Sequence, residues 1–277
     1  MSWVTPPADE LLDALYDGSL VRLPPVSASH ALVRRARGLL QAELGPAPRE
    51  AVHHLPGDEL FRRLGRVRKA LYLDPEALDE IADLLHQHGL APDAFAVDPA
   101  RLRVVHPGGE HTPAAAAVYA VHRDIWYGHP SSLITWWIPL DDLPPEQTFE
   151  FWPDKLRQPV PNDSEVFDYD AWVAEGWSLK IGWQDPEAGV TARYPGFLGD
   201  RADLGPGVGF AAQRAESRLF AGAHLHATRP HDAPQTRFSL DLRIAHLGHV
   251  AQGRGAPTVD DRSRGSAVPD YDRLPAR

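Results

Sequence analysis

Cysteine is absent from all 277 residues, which removes disulfides, thiolate metal sites and cysteine nucleophiles together. Any metal would have to be held by His, Asp or Glu. Long apolar runs are missing too: no stretch approaches the roughly 18 residues that cross a bilayer as a helix. The start, MSWVTPPADELL, has neither the basic residues nor the apolar stretch of a secretory signal, so a cytoplasmic location is expected. Lysine is scarce, limited to Lys69, Lys155 and Lys180, and the formal net charge is −10 with His neutral. No Lys/Arg stripe interleaved with aromatics offsets that balance, which suits a polyanion poorly. The expected partner is therefore a small molecule rather than nucleic acid or a membrane. Oligomeric state is not readable.

What is present is ordinary globular material: 43% hydrophobic and 24% charged residues, enough for a substantial core. Two segments carry helical patterns. SASHALVRRARGLLQAEL repeats its apolar residues every three or four positions behind Ser27 or Ser29 and meets Gly45-Pro46. DPEALDEIADLLHQHGL opens on Asp74-Pro75, a cap followed by a first-turn proline, and stops at Gly89. From about residue 101 the pattern changes to short β-branched and aromatic runs: RLRVV, AAVYAVHRDIWY, LITWWIPL, then GVGFAAQ, SRLFAGAHLHAT and QTRFSLDLRIAHLG. Between them, 153–207 is rich in turn formers and holds one short helical stretch, DYDAWVAEGW. The expected architecture is mainly β with flanking helices: a helical part over 1–100 and an antiparallel sandwich or barrel over 101–250. A loop as long as 153–207 belongs in a compact domain only if it works, and a lid over a site is its expected role. The tail, 251–277, is polar and is expected to be loosely ordered.

The residues that bear chemistry are histidines and a carboxylate. In VHRDIWY, His122 and Asp124 are two apart, which on a strand would put both on one face. In AHLHATRP, His224 and His226 stand in the same relation. Two imidazoles and one carboxylate make the facial set typical of non-haem iron(II) oxygenases, with open positions left for co-substrate and oxygen. A His-x-Asp pair alone is weak, since the chain has fourteen histidines and could hydrogen-bond such a pair at its surface. The segment TRFSLDLRI adds weight. Strict alternation sends Arg237, Ser239, Asp241 and Arg243 one way and Phe238, Leu240, Leu242 and Ile244 the other. An arginine aimed into a barrel is costly without an anion, and a guanidinium fork suits the far carboxylate of a dicarboxylic acid, with Ser239 adding a hydroxyl.

Taken together, His-x-Asp, a distal His, and Arg eleven residues past His226 with Ser two further on resemble the Fe(II)/2-oxoglutarate-dependent dioxygenase superfamily, and most of all its phytanoyl-CoA hydroxylase-like branch. The match covers about 101–140 and 208–245. It implies a double-stranded β-helix (jelly-roll, cupin-like) core, Fe(II) held by His122, Asp124 and His226, and 2-oxoglutarate held by Arg237 and Ser239, with O2 as oxidant. The eleven-residue spacing favours His226 over His224, which is left facing substrate or behind the metal. Related halogenases carry Gly or Ala where Asp124 stands, so hydroxylation, desaturation, cyclisation or epimerisation of a small metabolite, of the kind made in specialised biosynthesis, is implied instead. A 2-oxoglutarate-independent cupin-type iron oxygenase or isomerase is the main alternative, and a non-catalytic jelly-roll binding protein a second.

Several other residues remain open. Trp126 and Tyr127 follow the metal pair, and Trp136-Trp137 face opposite sides of one strand, so one of that pair belongs to the core while the other could line a cavity. Trp126 and Trp137 are thus weak candidates for substrate contact, with His224. Trp152, Trp172, Trp177 and Trp183 in or beside 153–207 either pin that segment down or form an apolar lid. Arg103 could contact 2-oxoglutarate or substrate but reads first as a solvated strand residue, DELFRRLGRVRK as the wet face of a helix, and His106, His111, His129, His231, His246 and His249 as loop or surface residues.

Overall fold

The computed structural model describes residues 3–111, 116–176 and 194–277. Trp177 and Trp183 lie outside them. Among the described residues, eight strands form two antiparallel sheets: β1 Val21–Leu23, β2 Phe95–Val105, β3 Leu133–Pro139, β4 Phe149–Phe151, β5 Ser217–Ala221, β6 His226–Thr228, β7 Arg237–His246 and β8 Asp272–Arg273. The larger sheet has the order β1-β5-β3-β7-β2-β8, and the smaller is the pair β4-β6. Seven helices accompany them: α1 Leu11–Tyr16, α2 Ser27–Leu44, α3 Gly57–Tyr72, α4 Pro75–Gln87, α5 Ala116–Tyr119, α6 Tyr169–Gly176 and α7 Leu247–Gln252. Two antiparallel sheets with helices outside are consistent with a jelly-roll or cupin-like fold. No described helix is long and apolar enough to cross a membrane.

Strand alternation divides the large sheet into two unlike faces. On β7, Phe238, Leu240, Leu242 and Ile244 join the core that α2, α3 and α4 cover, through Leu32, Val33, Leu64, Val67, Ile81 and Leu85. On β3, Ile134, Trp136 and Ile138 belong to the same core. Each large apolar side chain buried there contributes on the order of 1.5–3 kcal/mol. The other face of β3 and β7 looks across to the small sheet. There Trp137, Phe149, Phe151, Phe210 and Phe220 form a second apolar cluster between the layers. Helix α2 stops at Gly45, whose φ of 87° is left-handed, and Asp74 caps α4 by accepting from the Glu76 N–H.

Four expectations need correction. The stretch around His122 and Asp124 is not a strand. AAVYAVHRDIWY becomes α5, a single bridge at His122, and a 3-10 turn over Asp124–Tyr127 that ends at Gly128 in the left-handed region. The turn is held because the intervening Arg123 points into the protein and is tied down there. Second, SRLFAGAHLHAT breaks at Gly222 into β5 and β6, so His224 precedes the strand that His226 begins. Third, GVGFAAQ makes only isolated bridges, Phe151 to Val208 and Leu143 to Ala212. Fourth, the tail is not loose. It supplies β8 to one edge of the large sheet, buries Ala267, Tyr271 and Leu274, and sends Arg277 to Asp79 and Asp83 of α4. Polar residues that find buried or charged partners order a segment as well as apolar ones, and composition does not distinguish that case from a solvated tail.

Candidate metal centre

The bridge between His122 and His226 is the start of the site. Their backbones exchange two hydrogen bonds of 3.0 Å, which extends the small sheet and brings the two rings to 4.4 Å between centroids. Asp124, two residues on, is turned back toward them by the 3-10 turn. His122 Nε2 lies 3.8 Å from Asp124 Oδ1, and His226 Nε2 lies 4.0 Å from Oδ2. One ligand atom from each residue falls within 4.8 Å of the others, and among the described residues no other trio of His, Asp or Glu does so. The three side chains thus form a site able to hold a metal ion such as iron.

The surroundings fix how each group presents itself. His122 Nδ1 sits 2.8 Å from the Ala120 carbonyl and His226 Nδ1 sits 3.0 Å from the His224 carbonyl. A carbonyl can only accept, so both Nδ1 atoms carry the proton and both Nε2 lone pairs face the centre. Burial, with His226 adding to it, pushes the His122 pKa down to about 3, which keeps that imidazole neutral and ready to ligate. Asp124 accepts from Thr135 Oγ1 at 2.6 Å and from Arg243 Nη2 at 2.9 Å. Burial works to raise its pKa, but the Arg243 guanidinium and the two histidines outweigh it and hold the carboxyl well below the usual range. A second tie comes from behind. Arg123, 1% exposed, donates to Asp260 and to the carbonyls of Ala223, Lys155 and Gln158, while Asp260 also accepts from Trp126 Nε1 and the Val160 N–H.

The triad opens into a cavity of about 470 Å³, within the usual range for small-molecule sites. Arg237 lines the same cavity. The residue is 1% exposed, and its Nε and Nη1 have no hydrogen-bond partner among the described residues. Burial and the neighbouring Arg103 push its pKa down to about 10. Its Cζ is 5.5 Å from the centre of the Phe149 ring, which in turn is 6.2 Å from the His226 ring, so one aromatic side chain spans the gap between arginine and metal site.

Of the other residues singled out from sequence, Trp137 lines the cavity, whereas Trp126 is buried behind the metal turn on Asp260 and Trp136 packs on the helix side beside His88. Ser239 is fully buried with an unpartnered Oγ and is not among the cavity-lining residues. His224 faces elsewhere: its Nδ1 and Nε2 meet the carbonyls of Ala221 and Gly18, each at 3.1 Å. Arg103 is no free surface residue, since it lines the cavity and pairs with Asp241 at 2.6 Å. His106 lines the cavity as well, and His129 is buried against the Tyr271 hydroxyl at 2.8 Å. The turn-forming segment contributes Tyr194 to the wall, while Trp152 is pinned to the Gly205 carbonyl at 2.9 Å. Thr135, Asp260 and Arg68 were not anticipated. Arg243 was expected to face inward with Arg237, and that alternation was the available signal for its contact with Asp124.

No family model matches the sequence, and no curated protein matches it. Solved structures do show a loose likeness. EvdO2 from Micromonospora carbonacea var. aurantiaca, complexed with 2-oxoglutarate, is 14% identical, with 88% of this chain and 94% of that one covered and a TM-score of 0.48. SnoN, a non-heme alpha ketoglutarate dependent epimerase from nogalamycin biosynthesis, is 15% identical over 99% and 98% with a TM-score of 0.43. ThoJ, a non-heme monooxygenase, is 14% identical over 85% and 77% with a TM-score of 0.43. Superpositions this loose carry no functional argument, which has to come from the chain's own site.

Proposed function

We propose that this chain is a non-haem iron(II), 2-oxoglutarate-dependent oxygenase acting on a small-molecule metabolite. The observation that carries the reading is Arg237: a buried guanidinium whose Nε and Nη1 have no partner among the described residues, lining the cavity that also holds a two-histidine, one-carboxylate set. The donor set suits a divalent first-row metal. An unpaired arginine beyond it suits the far carboxylate of a short dicarboxylate, and 2-oxoglutarate is a dicarboxylate that can also chelate. Iron and 2-oxoglutarate, when bound, supply with oxygen the oxidising chemistry.

The chain's residues do the rest. His122 and His226 offer neutral Nε2 donors because backbone carbonyls hold their Nδ1 protons. Asp124 remains ionised and oriented through Thr135 and Arg243. Trp137, Phe149 and Phe220 surround the path between Arg237 and the histidines and keep water from it. Residues 177–193 of the expected lid lie outside the described residues; of the rest of 153–207, Tyr194 contributes to the cavity wall. Asp124 in the ligand set favours hydroxylation, desaturation, cyclisation or epimerisation over halogenation. A cytoplasmic enzyme of a specialised pathway fits this reading.

Arg237→Met tests it. The variant should fold and bind iron but lose 2-oxoglutarate affinity and 2-oxoglutarate turnover together. Unaltered 2-oxoglutarate binding would leave the cupin-type alternative, in which iron acts without that co-substrate.

A further inference from the structure

Among the described residues the cavity wall carries five arginines, and sorting them by partner isolates a second one. Arg101 is paired with Asp98 through two contacts of 3.0 Å, Arg103 with Asp241, and Arg243 with Asp124. Arg237 is unpaired, as above. Arg68 is the remaining one. Its Nε approaches the Leu102 carbonyl at 3.4 Å, and it has no carboxylate partner among the described residues. The acidic residues of its own helix are engaged elsewhere, Asp58 with Arg62 and Glu59 with Arg62 and Arg63. The titratable groups it interacts with electrostatically are Arg103, which repels it, and His106, which burial and Arg68 itself keep neutral by pushing its pKa down to about 4. Burial and Arg103 lower the Arg68 pKa to about 10. A cation in that setting is uncompensated.

Its place in the sequence gives the second half of the argument. Gly57, Leu60, Leu64 and Arg68 recur every three or four residues along α3, with Phe61 beside Leu60, so they form one stripe of the helix, and all five line the cavity. The stripe is apolar along its length and ends in one guanidinium, on a rigid element. The protein as a whole carries −10, so this local excess of positive charge is not a reflection of composition.

We infer that Arg68 anchors an acid group of the substrate, and that the substrate is an anion, carboxylate or phosphate, whose apolar body lies along Leu60, Phe61 and Leu64. The inference rests on the assignment of Arg237 to 2-oxoglutarate, which leaves Arg68, among the described residues, as the cavity arginine without a carboxylate partner and available to a second anion. Arg237 stands on β7 beside Phe149, whereas Arg68 stands on α3, so the two cations reach the cavity from different elements.

The test uses octanoate, octyl phosphate and octanamide as probes, titrated anaerobically into the protein saturated with Fe(II) and 2-oxoglutarate. At least one of the two acids should bind about tenfold or more tightly than the amide, the difference expected for one charge-assisted hydrogen bond. Whichever acid wins identifies the group as carboxylate or phosphate. Arg68→Met should erase the preference for the acid while leaving octanamide binding and 2-oxoglutarate affinity unchanged, and Arg68→Lys should retain part of it, which separates lost charge from lost packing. Equal binding of acids and amide by the native protein, or a preference that survives in Arg68→Met, overturns the inference and leaves the oxygenase reading intact. A fall in 2-oxoglutarate affinity in Arg68→Met also overturns it, because Arg68 would then be the co-substrate's partner. The oxygenase reading has its own separate arm: Arg237→Met with normal 2-oxoglutarate binding contradicts that reading without reference to Arg68.

Discussion

Arg243 and Arg237 stand on the same face of β7, and both are buried, yet their surroundings are opposite. Arg243 donates to Asp124 at 2.9 Å and lies 3.8 Å from Asp98, so its charge is matched within the folded chain. Arg237 has two buried nitrogens with no partner and two aromatic rings, Trp137 and Phe149, within 6 Å of its Cζ. One strand therefore carries a structural cation at one end and an uncompensated one at the other. Burying a charge with a good partner is roughly neutral for stability, while burying one alone is expensive and persists where a ligand completes it. The contrast separates the residue that shapes the metal site from the residue that waits for an anion.

Replacing each arginine with methionine should split these roles, and Arg243→Met should have the larger effect. It leaves Thr135 as the remaining hydrogen-bond donor to the buried Asp124 carboxylate, so the metal-free protein should lose about 3–5 kcal/mol in denaturant unfolding. Because a bound dication would supply the missing positive charge, added Fe(II) should restore a larger share of stability in this variant than in the parent. Arg237→Met should behave in the reverse way. Removing an unmatched charge should leave the apoprotein as stable as the parent or more so, while 2-oxoglutarate binding falls by about 2–5 kcal/mol, measured by calorimetry at fixed Fe(II). A marked loss of stability in Arg237→Met would mean that it has a partner in the folded chain. Ser239→Ala should matter least. If the Ser239 hydroxyl turns to the co-substrate, affinity drops by about 1 kcal/mol. No change would assign that oxygen to the wall behind the site.

Much of this contrast could be read before any coordinates. The strict alternation of TRFSLDLRI placed Arg237 and Arg243 on one face, because a strand interior to two layers has to sort its charged and apolar residues by period two. Helix limits at Gly45 and Asp74 were legible for a similar reason, since caps act over a few neighbouring residues. Three things were hidden. A two-residue spacing does not tell a strand from a turn, so the path from His122 to Asp124 needed the buried Arg123 and its bonds to Asp260 to be seen. Those bonds join residues far apart in the chain, and nothing local in VHRDIWY or in the tail announces them. His224 and His226 look equivalent in AHLHATRP, yet the backbone turns between them and gives His224 the Gly18 carbonyl as a partner. Arg68 was hidden most fully. It sits in a helix dense with charge, and only the fold shows that the acidic residues of that helix, Asp58 and Glu59, are already engaged.

The central claim is that one cavity holds a metal at His122, Asp124 and His226 and a 2-oxoglutarate carboxylate at Arg237. Anaerobic titration with Fe(II) and 2-oxoglutarate, followed by visible absorption, tests both halves together. Iron should bind stoichiometrically, and a charge-transfer absorption should appear only when both are present. It should vanish in His226→Ala, survive in His224→Gln, and require far more 2-oxoglutarate in Arg237→Met. Iron that fails to bind, or an absorption that persists without His226, would contradict the account.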